Sequence, residues 1–152
     1  MISVIMPVCL EPYEHEGIRS ATNPEYKFRR AVISFINQSF KESELIIVSD
    51  GCIRSEIIYN KYFSSIKNIR FIKIEKQSRF SGYVRQIGIE QSKGEIISYL
   101  DHDDFIGVDH LKIINDNFDL KWCYYDDYLI QGEENETLIF KILEVSPRFN
   151  YI

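Results

Sequence analysis

The chain has 152 residues, of which 45% are hydrophobic and 27% are charged, as in one ordinary globular domain. Its formal net charge is −5 and it contains no basic block, so nucleic acid is not expected as a partner. No apolar stretch approaches the roughly 20 residues of a membrane helix. The three cysteines are odd in number and form no CxxC, which argues against a zinc site or a disulfide framework.

Continuous apolar runs alternate with amphipathic segments along the first 120 residues. In chain order the pattern predicts a strand at Ile2–Val8, a helix at Lys27–Phe40, a strand at Glu44–Ser49, a helix at Ile53–Ile66, a strand at Ile69–Ile74, a helix at Ser81–Ser92, a strand at Glu95–Leu100 and a helix at Asp109–Phe118. Apolar runs without polar alternation are typical of strands buried on both faces. The alternation therefore predicts an α/β fold with a mostly parallel, doubly wound sheet.

The remaining segments are less regular. Cys9–Tyr26 is polar and reads as a long loop, which in a compact domain is usually functional. Two later strands are expected at Trp122–Tyr125 and Thr137–Leu143, with a turn at Gln131-Gly132-Glu133 between them.

Three residue groups follow the predicted strands: Pro7-Val8-Cys9, Asp50-Gly51 and Asp101 to Asp104. Ligands of parallel sheets bind beyond the carboxyl ends of the strands, where these groups fall. In an extended chain Asp101 and Asp103 would share a face. Two like charges at such a short distance repel each other unless a cation lies between them. A hard divalent cation takes oxygen ligands and brings phosphates with it, which predicts a nucleoside-diphosphate site.

Taken in order, these segments resemble the nucleotide-binding half of the family 2 glycosyltransferases with the GT-A fold. The resemblance covers residues 2 to about 130 and is carried by Ile5–Cys9, Phe35–Phe40, Glu44–Gly51, Arg85–Ile89 with Lys93–Ile96, the DxD motif at Leu100–Asp104, and Tyr124–Asp127. Each motif is weak alone, but their order and spacing are specific. Leu10 and Gln86 depart from the family, which has Asn at both positions.

The resemblance implies an inverting transfer of sugar from a nucleoside-diphosphate sugar, with UDP-sugar expected, to a glycan or lipid-linked saccharide. It implies that Asp103 binds a divalent ion, Mn²⁺ or Mg²⁺, and that Asp101 contacts the ion or the ribose. The family roles of the other residues are a base contact for Asp50, a uracil or phosphate contact for Arg85 and Arg79, and the lining of the base pocket by Pro7, Val8 and Cys9.

The family's catalytic base lies in an acceptor half after the post-DxD strand. The resemblance therefore implies a base beyond Ile152 and one domain, 1–152, that is incomplete at its C-terminus. It also implies polysaccharide assembly on the cytoplasmic side, where sugar nucleotides are made, with peripheral attachment to the membrane as an option.

Other readings stay open for the same residues. Asp50-Gly51 is a common turn dipeptide, Asp103 and Asp104 could cap a helix, and Arg85 could be a surface arginine. A partial or degenerate domain without independent catalysis is the first alternative function. A nucleotidyltransferase is the second, although the segment after the first strand lacks the Gly-rich basic loop that such an enzyme uses to hold a triphosphate.

Overall fold

Four parallel strands form the central sheet in the computed structural model, which describes residues 1–11, 22–76, 81–118, 127–131 and 138–142, the last two ranges as backbone only. In chain order the elements are β1 (Ile2–Val8), α1 (Pro24–Ile36), β2 (Ser43–Asp50), α2 (Ile53–Tyr62), β3 (Ile69–Ile74), α3 (Ser81–Glu90), β4 (Ile96–Tyr99), α4 (His110–Asn117), β5 (Asp127–Gln131) and β6 (Leu138–Ile142). The order across the sheet is β3-β2-β1-β4. The predicted α/β fold with a parallel sheet is confirmed.

β1 lies in the middle of the sheet and pairs along its whole length with β2, from Ile2 opposite Ser43 to Val8 opposite Ser49. Its pairing with β4 ends earlier, at Ile5 opposite Tyr99. The backbone groups of successive β1 residues face β2 and β4 in turn. By this alternation the nitrogen of Pro7 faces the β4 side, beyond the end of that ladder. Its missing N–H therefore costs the sheet no hydrogen bond.

The core lies on both faces of β1 and β2, as expected from their continuous apolar runs. Every residue of β1 is buried, and so are the first seven residues of β2. On one face, Ile5, Ile46 and Val48 pack with Val84 of α3. A Cβ atom at Gly88 would lie 2.5 Å from Cγ2 of Ile5, so α3 can approach the sheet this closely only with glycine there.

A buried carboxylate connects the amino ends of the strands. Oε1 of Glu44 on β2 accepts hydrogen bonds from Oγ of Ser3 on β1 and from the backbone N–H of Lys93 before β4, both at 2.8 Å. Oε2 lies 3.1 Å from the guanidinium of Arg70 on β3. Burial alone would raise the pKa of Glu44, but these donors and the charge of Arg70 outweigh it and hold the pKa below its usual value.

The observed elements differ from the predicted ones mainly at the helices. The strands Ile2–Val8 and Ile69–Ile74 have the predicted bounds. α1 begins three residues earlier than predicted because Pro24 occupies its first turn after Asn23 in the left-handed conformation, and it ends at Ile36 rather than Phe40. α2 ends at Tyr62 and α3 at Glu90, in both cases before the predicted last residue.

Contacts between residues divide the chain into two units, residues 1–112 and 113–152. The second contains β5 and β6, which pair in antiparallel register from Asp127 opposite Ile142 to Gln131 opposite Leu138. β6 lies within the strand predicted at Thr137–Leu143. The strand predicted at Trp122–Tyr125, and Gly132-Glu133 of the predicted turn, lie outside the described residues, and the single domain 1–152 stays a prediction. No helix in the described ranges is long and apolar enough to cross a membrane.

Replacing Glu44 by glutamine should destabilise the fold by about 1–3 kcal/mol at pH 7, because the amide loses the charged interaction with Arg70. The folded-state pKa of Glu44 is below 4.5, so its stabilisation is present above that pH and is lost as the pH falls through the folded pKa. The difference between E44Q and the parent chain, measured by urea unfolding, should therefore shrink as the pH is lowered below 4.5. The control is E42Q, a change at an exposed glutamate two residues away. An equal loss of unfolding free energy in E42Q, or a loss in E44Q that does not change with pH, would contradict the stabilising role of the Glu44 charge.

Candidate active site

The carboxyl ends of the four strands meet at one edge of the sheet and carry a set of polar side chains. Cys9 follows β1, Asp50 ends β2, Lys76 follows β3 and Asp101 follows β4. The chain passes from β1 through β2 to β3 and then returns to β4 on the other side of β1. The sheet therefore has its topological switch point between β1 and β4, which is where parallel α/β sheets bind ligands.

Lys76 connects two of these strand ends. Its Nζ atom donates to Oδ2 of Asp50 at 2.9 Å and to Sγ of Cys9 at 3.2 Å. Burial alone would lower the pKa of Lys76, but its hydrogen bonds to Asp50 and Cys9 outweigh that effect, and the pKa is raised above its usual value. Lys76 therefore carries a positive charge beside Asp50 at neutral pH.

Gly51 makes this contact possible. It has a φ of +63°, and a Cβ atom there would lie 2.7–2.9 Å from Cβ, N and Cα of Lys76. Its N–H donates to the carbonyl of Ile74 at 3.1 Å, which fixes the chain leaving β3 against the end of β2. The Asp50-Gly51 dipeptide thus forms a turn and also places a charged carboxylate at the end of β2.

The acidic segment after β4 is a turn and not an extended chain. The N–H of Asp104 donates to the carbonyl of Asp101 at 3.1 Å. The expectation that Asp101 and Asp103 share a face because the chain is extended is therefore wrong, since a turn reorients alternate residues. Helix capping by Asp103 or Asp104 is also wrong, because α4 begins only at His110.

Arg85 of α3 reaches the first residue of this turn. Its Nη2 atom lies 2.5 Å from Oδ1 of Asp101, and its Nη1 donates to Oγ of Ser81 at 2.7 Å. The close packing of Gly88, one turn further along α3, brings this helix near enough to the sheet for the contact. A cation thus neutralises the first carboxylate of the motif.

One face of α1 holds the chain that follows β4. The guanidinium of Arg30 donates to the carbonyl of Asp103 and lies 4.8 Å from the ring centroid of Phe105. Four residues on, Oγ of Ser34 accepts from the N–H of Ile106 at 3.2 Å. Because residues four apart lie on one side of a helix, the two contacts fix successive points of the same segment.

Gln38 completes this set of contacts. It is buried, its Nε2 donates to the carbonyls of Ser34 at 3.0 Å and Gly107 at 2.7 Å, and its Oε1 accepts from the N–H of Leu111 at 2.9 Å. The next residue, Ser39, donates from Oγ to Oδ1 of Asp109 at 2.6 Å. The Gln-Ser pair of the sequence motif therefore joins the end of α1 to the start of α4.

The residues predicted for the site differ in their surroundings. Pro7 and Val8 are buried in β1, whereas Cys9 is half-buried and accepts the hydrogen bond from Lys76. Asp50 and Arg85 each take part in an ion pair, and Arg79 lies outside the described residues. The roles assigned to these residues stay predictions.

A divalent ion would fit the acidic turn if the ligand supplied most of its coordination. No three His, Cys, Asp or Glu side chains within the described ranges form a group that could hold a metal ion. Asp101 and Asp103 are both half-buried and offer the oxygen ligands that Mn²⁺ and Mg²⁺ accept. Because Mg²⁺ is commonly bound by one or two carboxylates together with substrate phosphates, two carboxylates are sufficient.

Sequence reasoning missed two cations of this site. Lys76 was overlooked because it lies two residues beyond β3, in a segment with no motif; its position at a strand end was the available signal. Arg30 lies in a helix that is predicted from its apolar residues alone, and no sequence signal distinguishes this arginine there.

Comparison with known proteins identifies the class. Residues 3–121 match the family described as Glycosyl transferase family 2. The chain belongs to this family.

Individual relatives share moderate identity with the chain. EpsH of Bacillus subtilis is 30% identical over 135 residues, which are 86% of this chain and 39% of EpsH. An uncharacterized glycosyltransferase of Haemophilus influenzae is 31% identical over 113 residues, 74% of this chain and 40% of that protein. The chain thus spans about two fifths of the length of these relatives.

A solved structure shares the fold. TarS of Staphylococcus aureus, residues 1–349 in complex with UDP, superposes with a TM-score of 0.60 at 24% identity, over 90% of this chain and 37% of that one. TarS has also been solved in complex with UDP-GlcNAc, and it is named a poly(ribitol-phosphate) beta-N-acetylglucosaminyltransferase. At this identity the likeness shows the fold alone.

Replacing Gln38 by alanine should loosen the segment that follows the acidic turn. The change leaves the N–H of Leu111 and the carbonyl of Gly107 without their partner, at a cost on the order of 2–3 kcal/mol. Hydrogen exchange of the Leu111 amide, followed by NMR, should become faster in Q38A. N37A, at an exposed neighbour, is the control; unchanged exchange in Q38A would show that another contact holds the segment.

Proposed function

We propose that this chain is the donor-binding part of a glycosyltransferase that takes its sugar from a nucleoside-diphosphate sugar, with UDP-sugar as the expected donor. The observation that carries the proposal is that two ion pairs lie at the carboxyl edge of the sheet, one between Asp50 and Lys76 and one between Arg85 and Asp101. Family membership supports the reaction class, and the complexes of TarS with UDP and UDP-GlcNAc support the donor.

The two ion pairs suit the two ends of such a donor. The carboxylate of Asp50 is an acceptor for a base N–H group. The guanidinium of Arg85 can pair with phosphate in the geometry it now uses for a carboxylate. Base recognition is therefore proposed for the β1–β3 side of the edge and diphosphate recognition for the β4 side.

Asp103 and Asp101 are the residues that would hold a divalent ion, Mn²⁺ or Mg²⁺. Because the carboxylate of Asp101 is already paired with Arg85, Asp103 is proposed as the main ligand and Asp101 as the second. When bound, the ion supplies Lewis-acid stabilisation of the negative charge that develops on the leaving diphosphate.

The proposed reaction is an inverting displacement at the anomeric carbon. An acceptor hydroxyl of a glycan or lipid-linked saccharide attacks from the face opposite the diphosphate, while a carboxylate base takes its proton. The bond to the diphosphate breaks as the new glycosidic bond forms. No described residue is assigned as this base.

The proposed cellular setting is polysaccharide assembly on the cytoplasmic side of a membrane. Sugar nucleotides are made in the cytoplasm, which supports this location. TarS, which shares the fold, is named a poly(ribitol-phosphate) beta-N-acetylglucosaminyltransferase, and this name supports a polymer as the acceptor.

UDP titrated into the chain by calorimetry should bind more tightly with Mn²⁺ than without it. D103N should lose about tenfold or more of the affinity measured with Mn²⁺, because the carboxylate that holds the ion is gone. D104N, at the exposed neighbouring aspartate, should keep most of it. If D103N keeps its manganese-dependent affinity, or if D104N loses as much, the assignment of Asp103 is wrong.

A donor bound at this edge should also shield Cys9 from alkylation. Its thiol is half-buried beside Lys76, so UDP with Mn²⁺ should slow its reaction with iodoacetamide several-fold, as followed by peptide mass spectrometry. Cys52 is fully buried, so its labelling should stay low in both conditions and reports that the chain remains folded. Equal labelling of Cys9 with and without bound UDP would place the nucleotide elsewhere on the molecule.

A further inference from the structure

The peptide group that joins Asp103 to Asp104 is hydrogen-bonded on both sides within the acidic turn. Its N–H, which belongs to Asp104, donates to the carbonyl of Asp101 at 3.1 Å. Its carbonyl, which belongs to Asp103, accepts from the guanidinium of Arg30. Because a peptide group is planar and rigid, two bonds at its opposite ends fix the orientation of the whole plane. The path of the chain after Asp103 is therefore set without a ligand.

Of these two bonds, the one from Arg30 comes from a distant part of the chain. Arg30 is 73 positions away from Asp103 and lies on α1, a helix whose Phe28 and Ala31 are fully buried. A hydrogen bond from a charged donor is about twice as strong as one between neutral groups. Such a bond also polarises the peptide group, which makes its N–H a better donor to Asp101. Arg30 thus supports both bonds of this peptide group.

The side chain of Arg30 is itself held in place. It is half-buried, its Nε atom is buried, and its guanidinium lies 4.8 Å from the ring centroid of Phe105. A guanidinium is a rigid plane of donors, so one that already stacks on a ring loses little further freedom when it donates a hydrogen bond. The donor is therefore in position when the turn forms.

The consequence concerns the carboxylate of Asp103. The peptide plane that Arg30 binds sets the ψ angle of this residue, and the side chain leaves the same Cα atom. Beyond its backbone, an aspartate has only two side-chain torsions to adjust. A ligand that had to order the backbone of Asp103 itself would bind more weakly, because it would have to offset the lost conformational entropy.

We propose that Arg30 is a positioning residue of the acidic turn: by binding the carbonyl of Asp103, it keeps the carboxylate of that residue in the orientation that takes up a divalent ion together with the diphosphate of the donor. The inference rests on the proposed function, in which Asp103 is the main ligand of the ion. It gives a part in ion binding to a side chain of α1 that acts only through another residue.

Replacing Arg30 by methionine tests this role, because R30M removes the donor and keeps an unbranched side chain. UDP is titrated by calorimetry into R30M and the parent chain, with and without Mn²⁺. The affinity measured with Mn²⁺ should fall about tenfold in R30M, whereas the affinity measured without the ion should stay within about twofold. Loss of the positive charge alone would strengthen the binding of a cation, so a charge effect has the opposite sign.

The matched control is R29M, which changes the preceding residue of α1. Arg29 is also half-buried, its Nε atom is also buried, and its guanidinium lies 4.2 Å from the ring centroid of Tyr62 on α2. The control therefore removes an arginine in similar surroundings that is placed over α2. Its affinity for UDP with Mn²⁺ should equal that of the parent chain.

A double-mutant cycle with Asp103 separates positioning from a general loosening of the fold. If Arg30 acts through Asp103, then adding R30M to D103N should weaken UDP binding with Mn²⁺ by no more than about twofold. Circular dichroism shows whether each variant is folded before it is titrated. R30Q is titrated in the same way, with the same expected loss, and takes the place of R30M if the methionine variant does not fold.

The outcomes distinguish this inference from the proposed function. If D103N loses manganese-dependent affinity for UDP while R30M or R30Q keeps it, the role of Arg30 is wrong and the proposed function stands. The same holds if R29M loses as much as R30M, or if R30M weakens D103N as strongly as it weakens the parent chain. If the folded parent chain binds no UDP, with or without Mn²⁺, both proposals are overturned.

Discussion

The buried carboxylate of Glu44 is the interaction on which the geometry of the site depends. It joins β2 to Ser3 of β1, to Arg70 of β3 and to the chain that enters β4. Fixing the strands at their amino ends fixes their register, and a slip of one residue would exchange the two faces of a strand. Since each strand rises about 3.3 Å per residue, the same register sets where the strands end at the opposite edge. Cys9, Asp50, Lys76 and Asp101 are brought to one edge in this way.

The charges at the two edges of the sheet differ in their solvation, and this difference suits their roles. Glu44 is buried, and its carboxylate is paired with three donors, so that losing one of them reduces the compensation for burying its charge. Lys76 and Asp101 are about half exposed, and ion pairs of this kind contribute little to stability. A ligand can therefore replace part of either contact at low cost. The amino edge holds the sheet together, and the carboxyl edge can exchange its partners.

The sequence predicted those features that depend on local pattern. The bounds of β1 follow from a continuous apolar run, and those of β3 from apolar residues that Arg70 and Lys73 interrupt. The parallel sheet follows from the alternation of strands with helices. The start of α1 at Pro24 was missed because proline was read as part of a loop, although it is well tolerated in the first turn of a helix. The turn at Asp101–Asp104 was missed because strand geometry was extended past Tyr99, where the ladder ends.

Contacts between distant residues could not be predicted from a single sequence. Lys76 meets Asp50 across 26 positions and Gln38 meets Leu111 across 73, so neither pair leaves a periodic signal. The sequence did contain the residue that permits the first of these contacts. Gly51 was visible as half of a turn dipeptide, and its second function, to admit the chain after β3, depends on packing that only the structure defines.

The contacts of α1 explain how an exposed acidic turn can keep a defined conformation. A turn that carries three carboxylates repels itself, and ordering it at the moment of binding would reduce affinity. Arg30 of α1 binds the backbone carbonyl of Asp103, and Arg85 of α3 binds the side chain of Asp101. Cations from two helices therefore hold the turn. Gln38 fixes the far end of the same segment from within the core. The conformational entropy of the turn is thus lost when the chain folds, and less of it remains to be lost when an ion and a diphosphate bind.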